Sequence, residues 1–99
     1  MSSVPFPIHC WRGVPASETT PERYEEIAGA GFTVVPVSGD PDTIRRALDL
    51  CGEVGIVGMV RDPRLPNRNR LDEPDVPERI AAVVRDFADH PALWGWHVL

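Results

Sequence analysis

The feature that most restricts this chain is an alternation of two spacings. A short apolar run is followed by a stretch with helical periodicity, three times over, and a last apolar run closes the series. The runs at 8–11, 32–37, 56–60 and 93–99 read as strands, because they are short, apolar and bounded by glycine, proline or polar turns. Strand–helix–strand alternation implies a parallel sheet with right-handed crossovers. The run FTVVPV at 32–37 is almost continuously apolar, as suits a strand covered on both faces. Pro36 weakens its pairing but sits late in the run. Ahead of the first strand, residues 1–3 read as a tail, and Pro5 and Pro7 leave only 8–11 to pair well.

Each helix carries its own start signal. Thr20-Pro21 and Asp40-Pro41 place a capping side chain just before a proline, which loses no hydrogen bond at a first helical position. Asp75 with Glu78 has capping-box spacing. Inward stripes are expected from Tyr24, Ile27 and Ala28, from Ile44, Ala47, Leu48 and Cys51, and from Ile80, Val83, Val84 and Phe87. Gly31 and Gly52 or Gly55 are the natural terminators of the first two helices, and Pro91 stops the third. The connections are unequal. Helix-to-strand loops are short, whereas the strand-to-helix loops at 12–19 and 61–74 are long. Ligands of parallel α/β folds bind at the carboxyl ends of strands, so those loops mark the functional face.

Two architectures fit: part of a closed (β/α)8 barrel, or an open doubly wound sheet. Neither GxGxxG nor GxxxxGK[ST] follows any strand, so a nucleotide-binding open sheet lacks its signature and no cofactor is expected. A complete barrel takes roughly 250 residues, which makes residues 1–99 the size of an N-terminal half.

The closing stretch HPALWGWHVL, at 90–99, resembles the fourth-strand region of barrel enzymes in the large retaining glycoside hydrolase clan, including its β-galactosidase-like members. The resemblance implies a partial TIM barrel, β-α-β-α-β-α-β with parallel strands, forming the N-terminal half of one domain over 1–99 and stopping after the fourth strand. It implies a carbohydrate substrate with O-glycosidic bonds and a retaining mechanism, which uses two carboxyl groups about 5 Å apart. In the family the acid/base glutamate lies in an Asn-Glu-Pro or Asp-Glu-Pro triplet after this strand, and the nucleophile ends the seventh strand. Both would lie beyond Leu99, so residues 1–99 alone are expected to be inactive. Asp72-Glu73-Pro74 spells the triplet but follows a polar arginine and asparagine loop, not an apolar strand, and takes no catalytic role.

The expected substrate-contacting residues sit at strand ends. Trp11 could stack on a sugar face and Arg12 donate to hydroxyls. Arg61 and Asp62 could hold a hydroxyl or pair with one another. His97 could orient a carboxylate, or serve as a hydrogen-bonded core histidine. Ser38 and Asp40 are weaker candidates, with Asp40 chiefly a helix cap. Trp96 and His97 are adjacent in a strand, so one points towards the helices and the other away. His9, His90 and His97 lack metal-ligand spacing, and no metal is expected. His90 suits the negative end of a helix dipole. Cys10 and Cys51 form neither a disulfide framework nor a metal motif, and read as small buried hydrophobes.

Composition removes other classes. A net charge of −5 gives no overall case for nucleic acid. Arg64, Arg68 and Arg70 form a local basic patch, offset by Asp62, Asp72, Glu73 and Asp75. All ten basic residues are arginine, a bias that reads as genomic, not physical. No window approaches the ~20 apolar residues of a membrane span, and no secretory leader is visible, so with Met1 as the start a cytoplasmic protein is expected. Bare strand edges of a half-barrel would favour self-association. Rival readings are another barrel enzyme, sugar isomerase-like or amidohydrolase-like, and a small α/β interaction or regulatory module.

Overall fold

The computed structural model describes residues 8, 13–65 and 72–97. After a 3-10 turn at Ala16–Glu18 the order is α1 (Pro21–Gly29), β1 (Val34–Ser38), α2 (Pro41–Val54), β2 (Val57–Arg61), α3 (Val76–Phe87) and β3 (Leu93–Trp96). The three strands form a mixed α/β fold's parallel sheet in the order β1-β2-β3, so each strand neighbours the next one along the chain. The strand expected at 8–11 lies outside the described residues apart from Ile8. The Ile8 carbonyl accepts from the amides of Thr33 and Val34, at 2.9 and 3.2 Å, on the side of β1 away from β2.

The helix starts at Thr20 and Asp40 form as the sequence predicts. Thr20 Oγ1 accepts from the Arg23 amide at 3.3 Å, and Asp40 Oδ1 from the Thr43 amide at 2.7 Å. The Thr43 amide bond lowers the Asp40 carboxyl below its ordinary value. This contribution to stability is present above the unfolded carboxyl's pKa and disappears as pH falls through the lower folded one. The third start differs from expectation. Asp75 precedes α3 but makes no capping bond with its side chain. Arg79 draws the local acids instead, with Glu73 Oε1 at 3.0 Å and Asp75 Oδ2 at 3.5 Å. Gly31 and Gly55 have φ of 95° and 79° where α1 and α2 end, a conformation that costs a residue with a Cβ.

One buried cluster joins the sheet to all three helices. Val35, Val37 and Val60 from the sheet meet Tyr24 of α1, Ile44, Ala47, Leu48 and Cys51 of α2, and Val83 and Phe87 of α3. Register explains the facing. Val35 pairs with Gly58 and Val37 with Val60, so these positions share the helix side. Gly58 is glycine for space: a Cβ there would lie 2.7 Å from Leu48 Cδ2. The helix α3 differs in part from its predicted stripe. Val83 and Phe87 are buried, but Ile80 and Val84 stay 37% and 40% exposed on the helix flank.

Pro36 is tolerated within β1 because of its direction. The Thr33 carbonyl accepts from the Val57 amide of β2, whereas the Val34 amide turns to Ile8 on the opposite edge. Pro36, two residues after Val34, shares that outward edge, so its missing N–H breaks no bond between β1 and β2. Gly13 lies against the same edge; a Cβ on it would fall 2.2 Å from the Pro36 carbonyl oxygen. Gly13→Ala is therefore expected to destabilise the fold by about 1–3 kcal/mol. A thermal melt would show this as a drop of about 4–8 °C per kcal/mol, and an unchanged midpoint would refute the close approach.

Cys51 is fully buried beneath α2, and burial pushes its thiol up to about 12. The reactive thiolate is correspondingly scarce. Alkylation at mildly alkaline pH, followed by peptide mass mapping, should leave Cys51 unlabelled in the native chain and label it in denaturant.

Candidate functional site

The carboxyl ends of all three strands converge on one cavity of about 400 Å³, lined by Ser38, Gly39, Arg61, Asp62, Leu65 and His97, with Pro63 at its wall. Backbone pairing sets this convergence. Ser38 is the register partner of Arg61, and the His97 amide donates to the Val60 carbonyl at 2.8 Å. Neighbouring strands lie about 4.8 Å apart, so the three strand ends place their side chains within reach of one small ligand. Of the five residues expected to touch substrate, Arg61, Asp62 and His97 are thus brought together. Trp11 and Arg12 lie outside the described residues. Ser38, the weaker candidate, joins the cavity, while exposed Asp40 serves as the cap of α2.

Within the cavity the charges are unequally occupied. Asp62 is a buried carboxylate, 3% exposed, and Arg64 surrounds it. Asp62 Oδ1 accepts from the Arg64 amide at 2.8 Å and from Nε at 3.1 Å, and Oδ2 accepts from the other guanidinium arm at 2.8 Å. The same guanidinium reaches Asp86 Oδ2 of α3 at 2.9 Å. The flanking acids raise the Arg64 pKa further above its already high ordinary value, with the Asp62 hydrogen bond as the main cause. Arg64 thus links Asp62, at the start of the loop after β2, to α3. The expected alternative partner of Asp62, Arg61, is not the one it takes. Successive strand residues point to opposite sides, whereas an aspartate reaches the amide two residues on through a local turn. Pro63 favours that turn, closed by the Leu65 amide on the Asp62 carbonyl at 2.9 Å.

Arg61 is exposed and forms no ion pair or hydrogen bond among the described residues. His97 Nδ1 is buried and has no hydrogen-bond partner among the described residues. Trp96 packs against the helix-side cluster. His97, next along the strand, takes the other direction, which settles their opposed orientation. Among the described residues the cavity is therefore lined by an unpaired Arg61, by Ser38 and by His97, whose unpartnered Nδ1 is turned away from solvent. Sequence reasoning missed Arg64 as the partner of Asp62, reading it within a basic patch. The Asp-Pro-Arg order was the available signal, since it combines a turn former with a cation two residues from the acid.

A wider depression of about 1040 Å³ lies at the other end of the sheet, by the amino ends of β2 and β3. On its wall His90 bridges helices: Nδ1 accepts from the Ala92 amide at 3.1 Å, leaving Nε2 to carry the hydrogen donated to Asp49 Oδ1 at 2.7 Å. Among the described residues no group of three or more His, Cys, Asp or Glu side chains is placed to hold a metal ion. Among them, too, no helix is long and apolar enough to cross a membrane. No protein-family model, curated protein or solved structure matches the chain.

Replacing Arg64 by Met strips two side-chain donors from a buried carboxylate and leaves only the backbone amide. The expected cost is about 3 kcal/mol, because an acid left buried and underbonded loses more than the bond itself. Chemical denaturation would measure it. Arg64→Met together with Asp62→Asn should recover part of the loss, and no recovery would mean the two side chains act independently.

Proposed function

We propose that the chain forms the first strands of a (β/α)8 barrel of the retaining glycoside hydrolase type, and that the cavity at its strand ends binds part of a sugar substrate. The observation that carries this reading is the convergence of Ser38, Arg61 and His97 at the carboxyl ends of three sequentially ordered parallel strands. Barrel enzymes place their sites on that face, whatever their chemistry. Two further features are in keeping with a barrel. Successive strands are neighbours without a reversal of order, and one cluster binds all three helices to a single face of the sheet. Met59 and Gly95 pair on the opposite face, Trp94 at the register shift is 52% exposed, and α3 keeps Ile80 and Val84 exposed on its flank. Further strands and a fourth helix would cover these surfaces.

In this reading the described residues supply positioning, and the reacting carboxyl groups follow Leu99. Arg61 and Ser38 orient sugar oxygens, while Asp62 and Arg64 hold the loop that carries Arg61's neighbour in place. His97 stands a few residues before the place where the resemblance puts the acid/base glutamate. The reading predicts a Glu within a few residues downstream of Leu99 in the coding sequence, and cleavage of nitrophenyl β-glycosides by the longer product. That product with the Glu replaced by Gln should lose cleavage. A downstream sequence without such a Glu removes the hydrolase reading and leaves the sugar isomerase-like barrel or the interaction module.

A further inference from the structure

We infer that the strand-end cavity selects a sugar bearing an anionic group, a carboxylate or a phosphate, and that Arg61 is the specificity-determining residue. The inference rests on the sugar-binding reading above and adds the charge of its ligand. It follows from how the cavity's charges are used. Two charged side chains line the cavity, Arg61 and Asp62. The Asp62 carboxylate is 1% exposed and accepts three bonds from Arg64. A carboxylate so enclosed has little capacity left for a substrate hydroxyl. Arg61 is exposed, lines the cavity and forms no ion pair among the described residues, its neighbour Asp62 being taken by Arg64. The remaining polar groups are Ser38, which can donate a hydroxyl hydrogen, and His97, whose Nδ1 is buried without a partner among the described residues.

Such a site is matched by an anion. A guanidinium presents paired N–H donors in a plane, the geometry that carboxylate and phosphate oxygens accept. A neutral sugar hydroxyl would use one of these donors and leave the charge unanswered. The cavity of about 400 Å³ is near the small end of ligand sites. Buried Asp62 nearby would repel an anion were it bare, but its carboxylate is bonded by Arg64 at 2.8 Å, a guanidinium it shares with Asp86.

The test measures binding to the full-length protein by calorimetry, using methyl β-glucuronide, methyl β-glucoside and glucose 6-phosphate. One of the two anionic sugars should bind about tenfold or more tighter than the neutral glucoside, and the tighter one identifies the anion. In Arg61→Met that advantage should vanish while the melting temperature stays the same, because Arg61 is exposed and supports no contact within the fold. Arg61→Lys should restore part of it, returning the charge without the paired donors. If the glucoside binds as tightly as both anionic sugars, the charge inference fails and the sugar site stands. If Arg61→Met keeps the anionic preference, Arg61 is not its source and the inference fails. If none of the three binds, the sugar-site reading fails with it.

Discussion

The seating of Leu48 over Gly58 is the contact on which the remaining structure depends. Leu48 is fully buried, and its side chain occupies the space that a Cβ at position 58 would claim. Burying a leucine contributes about 1.5–3 kcal/mol, and here the same contact also sets distance. It brings α2 down onto β1 and β2, where Val35, Val37 and Val60 share one buried cluster with Ile44 and Cys51. Interiors are packed closely enough that an added methyl group would be felt across this layer. Arg45 then extends the layer to α3, lying 5.6 Å from the Phe87 ring centre and donating to the Asp86 carbonyl at 3.3 Å.

The strand-end cavity is a consequence of that layer. With α2 fixed over the first two strands, the ends of β1 and β2 stay in register, Ser38 opposite Arg61. β3 joins through a shift between Gly58 and Met59, after which Val60 pairs with Trp96 and His97 continues the ladder. The irregularity brings Gly95 opposite Met59 and keeps Trp96 on the packed side. His97 is thereby turned towards the cavity, not into the helix layer. The Asp62–Arg64–Asp86 chain of contacts performs a related task outside the sheet. It ties the long loop after β2 to α3, beside the packing of Leu65 against the core.

Much of this was legible in the residues. Helical spacing identified Tyr24, Ile44, Ala47, Leu48, Cys51, Val83 and Phe87 as inward-facing, and each is buried. Thr20-Pro21 and Asp40-Pro41 announced two helix starts through short-range chemistry, which needs no distant partner. Asp75 misled because an acid at capping spacing also suits an arginine one turn on, and Arg79 competes for it. Ile80 and Val84 misled because periodicity reports an apolar stripe but not its width or what covers it. For the site, strand-end position alone nominated Arg61, Asp62 and His97, since loop length marked the carboxyl face. The partnership of Asp62 with Arg64 stayed hidden within a run of arginines whose individual directions no periodicity fixes.

The sequence by itself determined the kinds of element, their order and the face on which long loops gather, because propensity, capping and hydrophobic spacing act over a few residues. Tertiary structure decided which polar groups are spent and which stay available. Asp62 and Arg61 are chain neighbours of opposite charge, yet one is enclosed by Arg64 and the other is left unpaired among the described residues. That division depends on a turn, a strand register and a helix brought alongside, where Arg64 meets Asp86 as well as Asp62.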